Sequence, residues 1–133
     1  MSKIKVPEKY EKVFEGLVND TLETLDFTNA EMGDSMTIQM SELIKGTKIR
    51  TIKFIRNKLS DEGVGKIIPF MSNIITLNLS QNFLTEHVLD ILGEAKQHLP
   101  KLKNIILSQN KIIERKHKAK LEKLRKLDWT VSV

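Results

Sequence analysis

The segment LNLSQN at residues 77–82 returns, little changed, as IILSQN at residues 105–110. A chain that repeats itself every 20 to 50 residues or so, roughly the length of one supersecondary unit, is a stack of copies of that unit. Counting back from Asn82, apolar residues stand at Leu79, Leu77 and Ile74, and another follows at Leu84. The same steps from Asn110 meet Leu107, Ile105, Leu102 and Ile112, and from Asn57 they meet Phe54, Ile52, Ile49 and Leu59. A further copy runs Leu22, Leu25, Phe27 and Met32, with Ala30 in place of the asparagine, and a fifth begins as Leu124, Leu127 and Trp129.

The spacing has a physical reading. In ITLNL at residues 75–79 the apolar positions alternate with polar ones, the period of a half-buried strand. So short a strand cannot bury its apolar side alone. It does so when the next copy lays a strand beside it, about 4.8 Å away, and a helix covers the back. The bend after each strand leaves backbone N–H and C=O groups facing inward, and an asparagine carries both a donor and acceptors that can meet them.

Helical segments fall between the strands. Asp34 or Ser35 is placed to cap a helix with Met36, Met40, Leu43 and Ile44 on its inner stripe. Ser60 precedes a second, with Val64, Ile67, Ile68 and Met71 inward and Pro69 shortening it. Thr85 precedes a third, bearing Val88, Leu92, Ala95 and Leu99 and closed by Pro100. At the start, PEKYEKVFEGLVN at residues 7–19 sets Tyr10, Val13, Phe14, Leu17 and Val18 on one face. That segment predicts an amphipathic helix capping the stack.

The pattern L-x-x-L-x-L-x-x-N-x-L, complete around Asn57, Asn82 and Asn110, resembles the leucine-rich repeat family. The repeat length is similar to that of the helix-containing subclass typified by ribonuclease inhibitor. The layout of a capping helix and about five short repeats is similar to the carboxy-terminal domain of tropomodulin, an actin-filament end-capping protein. The resemblance implies an α/β solenoid in one domain over residues 1–133: a capping helix at 1–20, four repeats at 21–123 and a terminal strand at 124–133. Its parallel sheet of about five strands would line the concave side, with helices on the convex side. It implies a structural role for Asn57, Asn82 and Asn110, which would stitch successive bends into a ladder.

The resemblance also implies which side chains leave the concave sheet: Thr24, Asp26 and Thr28; Thr51, Lys53 and Ile55; Thr76, Asn78 and Ser80; Asn104, Ile106 and Ser108; Lys126, Asp128 and Thr130. Most are small hydroxyl or amide groups, while Ile55 and Ile106 are apolar where solvent is expected. Isolated isoleucines can be mere strand formers. Alternatively they anchor a protein partner in a shallow polar groove centred on Lys53, Ile55, Asn78, Ser80, Ile106 and Ser108.

Charge is divided along the chain. Residues 1–46 hold five lysines against nine acids, whereas residues 47–133 hold seventeen bases against eight. The segment KIIERKHKAKLEKLRK at 111–126 has eight bases and two acids, and its inner stripe reads as Ile113, His117, Leu121 and Leu124. Lys116, Lys118, Lys120 and Lys123 form either a solvated helix face or a contact for an acidic partner, nucleic acid or anionic lipid. Nucleic acid is the weaker candidate, because no aromatic residues interleave with these bases. The closing LDWTVSV leaves an open strand edge that invites self-association or partner docking, with Trp129 as a lid on the last core layer.

Cysteine is absent, which excludes disulfides, thiolate metal sites and thiol nucleophiles. No phosphate-binding loop, nucleophile elbow or H-E-x-x-H motif occurs, and the three histidines have no partner at metal spacing. No apolar run approaches the roughly 20 residues that cross a bilayer. The expectation is a non-catalytic protein-interaction module without cofactor or metal, cytoplasmic or nuclear. Its alternatives are a cytoskeletal or assembly component acting through the basic helix and terminal strand, and a basic module contacting nucleic acid or anionic membrane.

Overall fold

Among the described residues, five strands of three residues each lie side by side in one parallel sheet, in chain order. They are β1 (Thr24–Asp26), β2 (Thr51–Lys53), β3 (Thr76–Asn78), β4 (Asn104–Ile106) and β5 (Thr130–Ser132). The helices between them are α1 (Gly33–Glu42), α2 (Asp61–Ile67), α3 (His87–Glu94) and α4 (Lys118–Arg125), each packed on the next. This architecture comes from a computed structural model that describes Glu15 and residues 22–133. The amphipathic capping helix expected at the start of the chain, Glu15 apart, lies outside the described residues.

The central residue of every strand points into the core: Leu25, Ile52, Leu77, Ile105 and Val131 stand in register, all buried. Two residues on, Phe27, Phe54, Leu79 and Leu107 form a second buried row, and the Phe27 and Phe54 rings stack with centroids 6.2 Å apart. Ile49, Ile74 and Leu102 fill the row before the strands, and Leu59, Leu84 and Ile112 fill the row after the asparagines. The core is thus a set of parallel files running along the solenoid. Each file is one repeat position, and this is why the spacing recurs.

Asparagines close the bends, each one serving the repeat before it. Asn57 Oδ1 accepts from the backbone N–H groups of Ala30 (3.1 Å) and Met32 (3.3 Å), and its Nδ2 donates to the Phe27 carbonyl at 2.7 Å. Asn82 does the same for Asn57 N–H (2.9 Å), Leu59 N–H (3.0 Å) and the Phe54 carbonyl (2.9 Å). Asn110 repeats it for Asn82 N–H, Leu84 N–H and the Leu79 carbonyl. Ala30 now has a reason. Among the described residues no bend precedes that of β1, so an asparagine at position 30 would find none there to cap.

A second ladder runs along the helix starts. The Asp34 carboxylate accepts from Ser60 N–H (2.9 Å) and Ser60 hydroxyl (2.5 Å), and Asp61 accepts from Thr85 N–H and hydroxyl at the same distances. Asp34 therefore faces the next repeat instead of capping α1, whose N-cap residue, Met32, makes no side-chain capping bond. Ser60 does cap α2, accepting from Gly63 N–H at 3.2 Å, and Pro69 sits in the 3-10 turn Ile68–Phe70 that ends it.

Three core expectations shift. On α1 the buried face is Thr37, Met40 and Ser41, with Ile44 beyond the helix, while Met36 and Leu43 are only half-buried. Thr37 and Ser41 can be buried because their hydroxyls donate to the carbonyls of Gly33 (2.7 Å) and Thr37 (2.8 Å). Ile113 is 56% exposed instead of lining an inner stripe, because α4 starts only at Lys118 and Ile112 takes the buried place. In the fifth repeat the strand is Thr130–Ser132, with Thr130 opposite Asn104. Leu124 is a buried residue of α4, so the strand begins later than its apolar spacing suggests. Lys126 and Asp128 accordingly lie before the sheet, Lys126 as the C-cap of α4 and Asp128 in a left-handed bend.

Candidate functional site

Alternation of the short strands turns two cross-strand rows outward. Thr24, Thr51, Thr76, Asn104 and Thr130 form the first, and Asp26, Lys53, Asn78, Ile106 and Ser132 the second. A third row follows in the bends, with Thr28, Ile55, Ser80 and Ser108. Asn104 Nδ2 donates to Thr76 Oγ1 at 3.1 Å across the first row. The surface so made is open, polar and uncovered by any described element.

Lys53, Ile55, Asn78, Ser80, Ile106 and Ser108 fall in one three-by-two group of positions on neighbouring strands, although Ser80 is buried, at 8% exposed. Not all of them are equally free. Asn78 Oδ1 accepts from Ser80 N–H (3.1 Å) and hydroxyl (2.6 Å), and Asp26 holds Thr28 in the same way (2.9 and 2.5 Å). Those pairs brace the bend. The corresponding pairs in β2 and β4, Lys53 with Ile55 and Ile106 with Ser108, cannot make the brace, and Ile55 and Ile106 stand half-exposed. Sheet spacing puts the two isoleucines about 12 Å apart on a diagonal. They are two separate apolar points in a polar field.

The basic segment is more neutralised than its composition suggests. Lys120 Nζ lies 2.8 Å from Asp90 and 3.7 Å from Glu86, joining α4 to the third repeat. The hydrogen bond to Asp90 raises the Lys120 ammonium above its ordinary pKa and, donated by Lys120, lowers the Asp90 carboxyl below its own. Lys118 lies 3.8 Å from Glu122. Of the four lysines expected to form the patch, Lys116 and Lys123 are exposed and take part in none of the ion pairs among the described residues.

The strand edge at β5 is partly covered. Arg125 donates to the outward Val131 carbonyl through Nη2 (2.8 Å) and Nε (3.3 Å), and both its terminal nitrogens bind the Glu114 carboxylate. That bond holds Glu114 below the usual carboxylate range and Arg125 above its own. Trp129 is buried, with Lys96 Nζ 5.0 Å from its ring centre and 2.8 Å from the Leu127 carbonyl. It lies over the last core layer.

Two features fall outside the sequence expectations. Phe83 is 60% exposed in the bend after Asn82, where other repeats carry Glu31, Lys58 and Lys111. The acid–hydroxyl ladder was legible in principle, since Asp34, Asp61, Glu86 and Glu114 each stand four residues beyond the asparagine position. It stops at the third repeat because Ile113 stands where Ser60 and Thr85 stand. Glu86 then faces His117, whose Nε2 is 3.7 Å away while Nδ1 accepts from Ile113 N–H.

No family model matches the chain. Human cytoskeleton-associated protein 2-like is 39% identical to it over 77 residues, which cover 53% of this chain and 10% of that protein. The chain thus corresponds to about a tenth of that relative's length. Among solved structures, leiomodin-1 actin-binding site 2 superposes with a TM-score of 0.75 at 15% identity, covering 96% of this chain and 80% of that one. At that identity the likeness is one of fold. The architecture is α/β and leucine-rich-repeat-like, and the likeness supports the layout resemblance to the tropomodulin domain. Among the described residues no helix is long and apolar enough to cross a membrane.

Proposed function

We propose that this chain is a non-catalytic protein-binding module of the cytoskeleton, a helix-containing leucine-rich repeat domain that docks its partner on the concave sheet. The observation that carries the reading is a fold held in common with an actin-binding site of leiomodin-1 over nearly the whole chain. The similarity to cytoskeleton-associated protein 2-like points the same way. The docking patch is Lys53, Ile55, Asn78, Ser80, Ile106 and Ser108, with Ile55 and Ile106 as anchors and the braced Asn78–Ser80 pair as a rigid polar centre. Filamentous actin is the first partner to try, and the cytoplasm is the compartment this reading implies.

Co-sedimentation with actin filaments tests the proposal. The unaltered chain is expected in the pellet, and Ile55→Glu with Ile106→Glu is expected to leave it in the supernatant. Both side chains are half-exposed, so the double variant keeps its fold. An unaltered chain that never pellets removes actin as the partner. A double variant that pellets as well as the parent removes the concave face.

A further inference from the structure

The bends at the carboxyl ends of β2, β3 and β4 carry a feature that folding does not require. Phe83 and Ile113 are the exposed large apolar side chains among the described residues, and both belong to these bends. The fold uses the Phe83 backbone, whose N–H donates to the Leu59 carbonyl at 2.9 Å, and leaves its ring in solvent. Lys58 and Lys111 serve the same repeat position with a hydrophilic side chain. An aromatic ring there gains nothing from the core.

Phe83 is not isolated. It lines an open depression of about 500 Å³ together with Arg56, Lys58, Gln81 and Gln109, with Asn29 and Glu31 toward the β1 end. Arg56, Lys58, Gln81 and Gln109 all hold positive φ, between 57° and 59°. Non-glycine residues adopt that conformation only when the surrounding bonds fix it, so these side chains leave a rigid rim. Arg56 and Lys58, with Lys111 on the adjoining bend, take part in none of the ion pairs among the described residues. Glu31 is the one acid in the lining.

We infer that this rim binds an acidic peptide segment that carries apolar side chains, with Phe83 as the anchor and Arg56, Lys58 and Lys111 as its charge partners. An exposed ring flanked by unpaired cations fits a ligand that is both apolar and anionic. A single-stranded nucleic acid shares the charge but relies on successive aromatic platforms, and the rim offers a single ring. The glutamines and Asn29 supply amide groups of the kind that pair with an extended peptide backbone. This surface is separate from the concave patch and does not depend on it.

Fluorescence anisotropy of the full chain tests the inference, with a short fluorescein-labelled peptide alternating aspartate with leucine and phenylalanine as the probe. Phe83→Glu is expected to weaken binding about tenfold or more, the effect of losing one buried aromatic anchor. Phe83→Leu keeps an apolar anchor and is expected to stay within about threefold. Reversing Arg56 and Lys58 to glutamate weakens binding, and the parent affinity falls as salt rises. Equal binding of a peptide with serine in place of its apolar residues overturns the anchor. Tighter binding of an oligothymidylate, lost in Phe83→Leu, overturns the peptide in favour of base stacking. Loss in Ile55→Glu/Ile106→Glu with retention in Phe83→Glu moves the site to the concave face. Phe83 is exposed, so its variants fold, and an unchanged urea midpoint verifies this.

Discussion

Asn82→Ala is the sharpest test of the bend ladder. The side chain is 7% exposed and makes five hydrogen bonds. Two of its acceptors have other donors: the Leu79 carbonyl also receives Asn110 Nδ2, and the Ser80 carbonyl receives Arg56 N–H. The groups that lose a partner are therefore Asn57 N–H, Leu59 N–H and the Phe54 carbonyl. An orphaned buried polar group costs roughly 1–3 kcal/mol, so with some water access to the new gap the total is about 3–5 kcal/mol. That is a large share of the roughly 5–15 kcal/mol that holds a domain together. Urea unfolding followed by circular dichroism should show the midpoint falling with the slope unchanged. Asn110 is half-exposed, so Asn110→Ala should cost less. Equal losses below about 1 kcal/mol at both positions would refute the reasoning, since water would then be reaching groups taken to be shielded.

Three further outcomes follow from the same bonds. Thr85→Val removes the hydroxyl that donates to Asp61 and accepts from His87 N–H, and should destabilise by about 1–2 kcal/mol in urea titration. Arg125→Ala uncovers the Val131 carbonyl on the β5 edge, so sedimentation should show more self-association than in the parent; an unchanged monomer fraction would count against Arg125 as an edge cover. Asp90 and Glu114 are both lowered, chiefly by hydrogen bonds from Lys120 and Arg125. A lowered carboxyl stabilises above its unfolded pKa and loses that contribution as pH falls through its folded value. Both groups are exposed, so the effect is small. The urea midpoint should hold from neutral pH to the ordinary carboxylate range, then decline, and the decline should be shallower in Lys120→Ala.

The framework was legible because one geometry dictates the same few positions in every repeat. Leu77, Leu79, Asn82 and Leu84 differ from Ile105, Leu107, Asn110 and Ile112 only in which branched side chain fills each file. Where legibility failed, two structures fit one pattern. Leu124, Leu127 and Trp129 have strand spacing, but Leu121 and Leu124 also have helix spacing, and the helix prevails because both are buried against the sheet side of α4. Thr37 and Ser41 were passed over because hydropathy treats a hydroxyl as exposed, whereas one bonded to a carbonyl a turn earlier can be buried. Phe83 was invisible for the opposite reason: an apolar residue read by composition looks like core. The outward positions of the strands were legible in the sequence, and their uneven freedom was not, since the Asn78–Ser80 brace is a contact between side chain and bend.

That unevenness follows from the direction of the ladders. Each asparagine reaches back one repeat, and the helix-start acids Asp34 and Asp61 reach forward one, so the bends and helix starts of the second and third repeats are satisfied by their neighbours without help from concave side chains. Those side chains are released from folding, except where an acid or amide braces its own bend, as Asp26 and Asn78 do. β2 and β4 lack the brace yet hold the same register as β1 and β3. The brace is therefore dispensable to the sheet, and Lys53, Ile55 and Ile106 stand where polar bracing residues would serve the fold equally well. Half-exposed apolar groups in place of a local hydrogen bond give up a small stabilisation on the free protein. On the proposed reading, burial of Ile55 and Ile106 beneath a partner offsets that loss, which makes Ile55→Glu with Ile106→Glu the variant that tests the concave face.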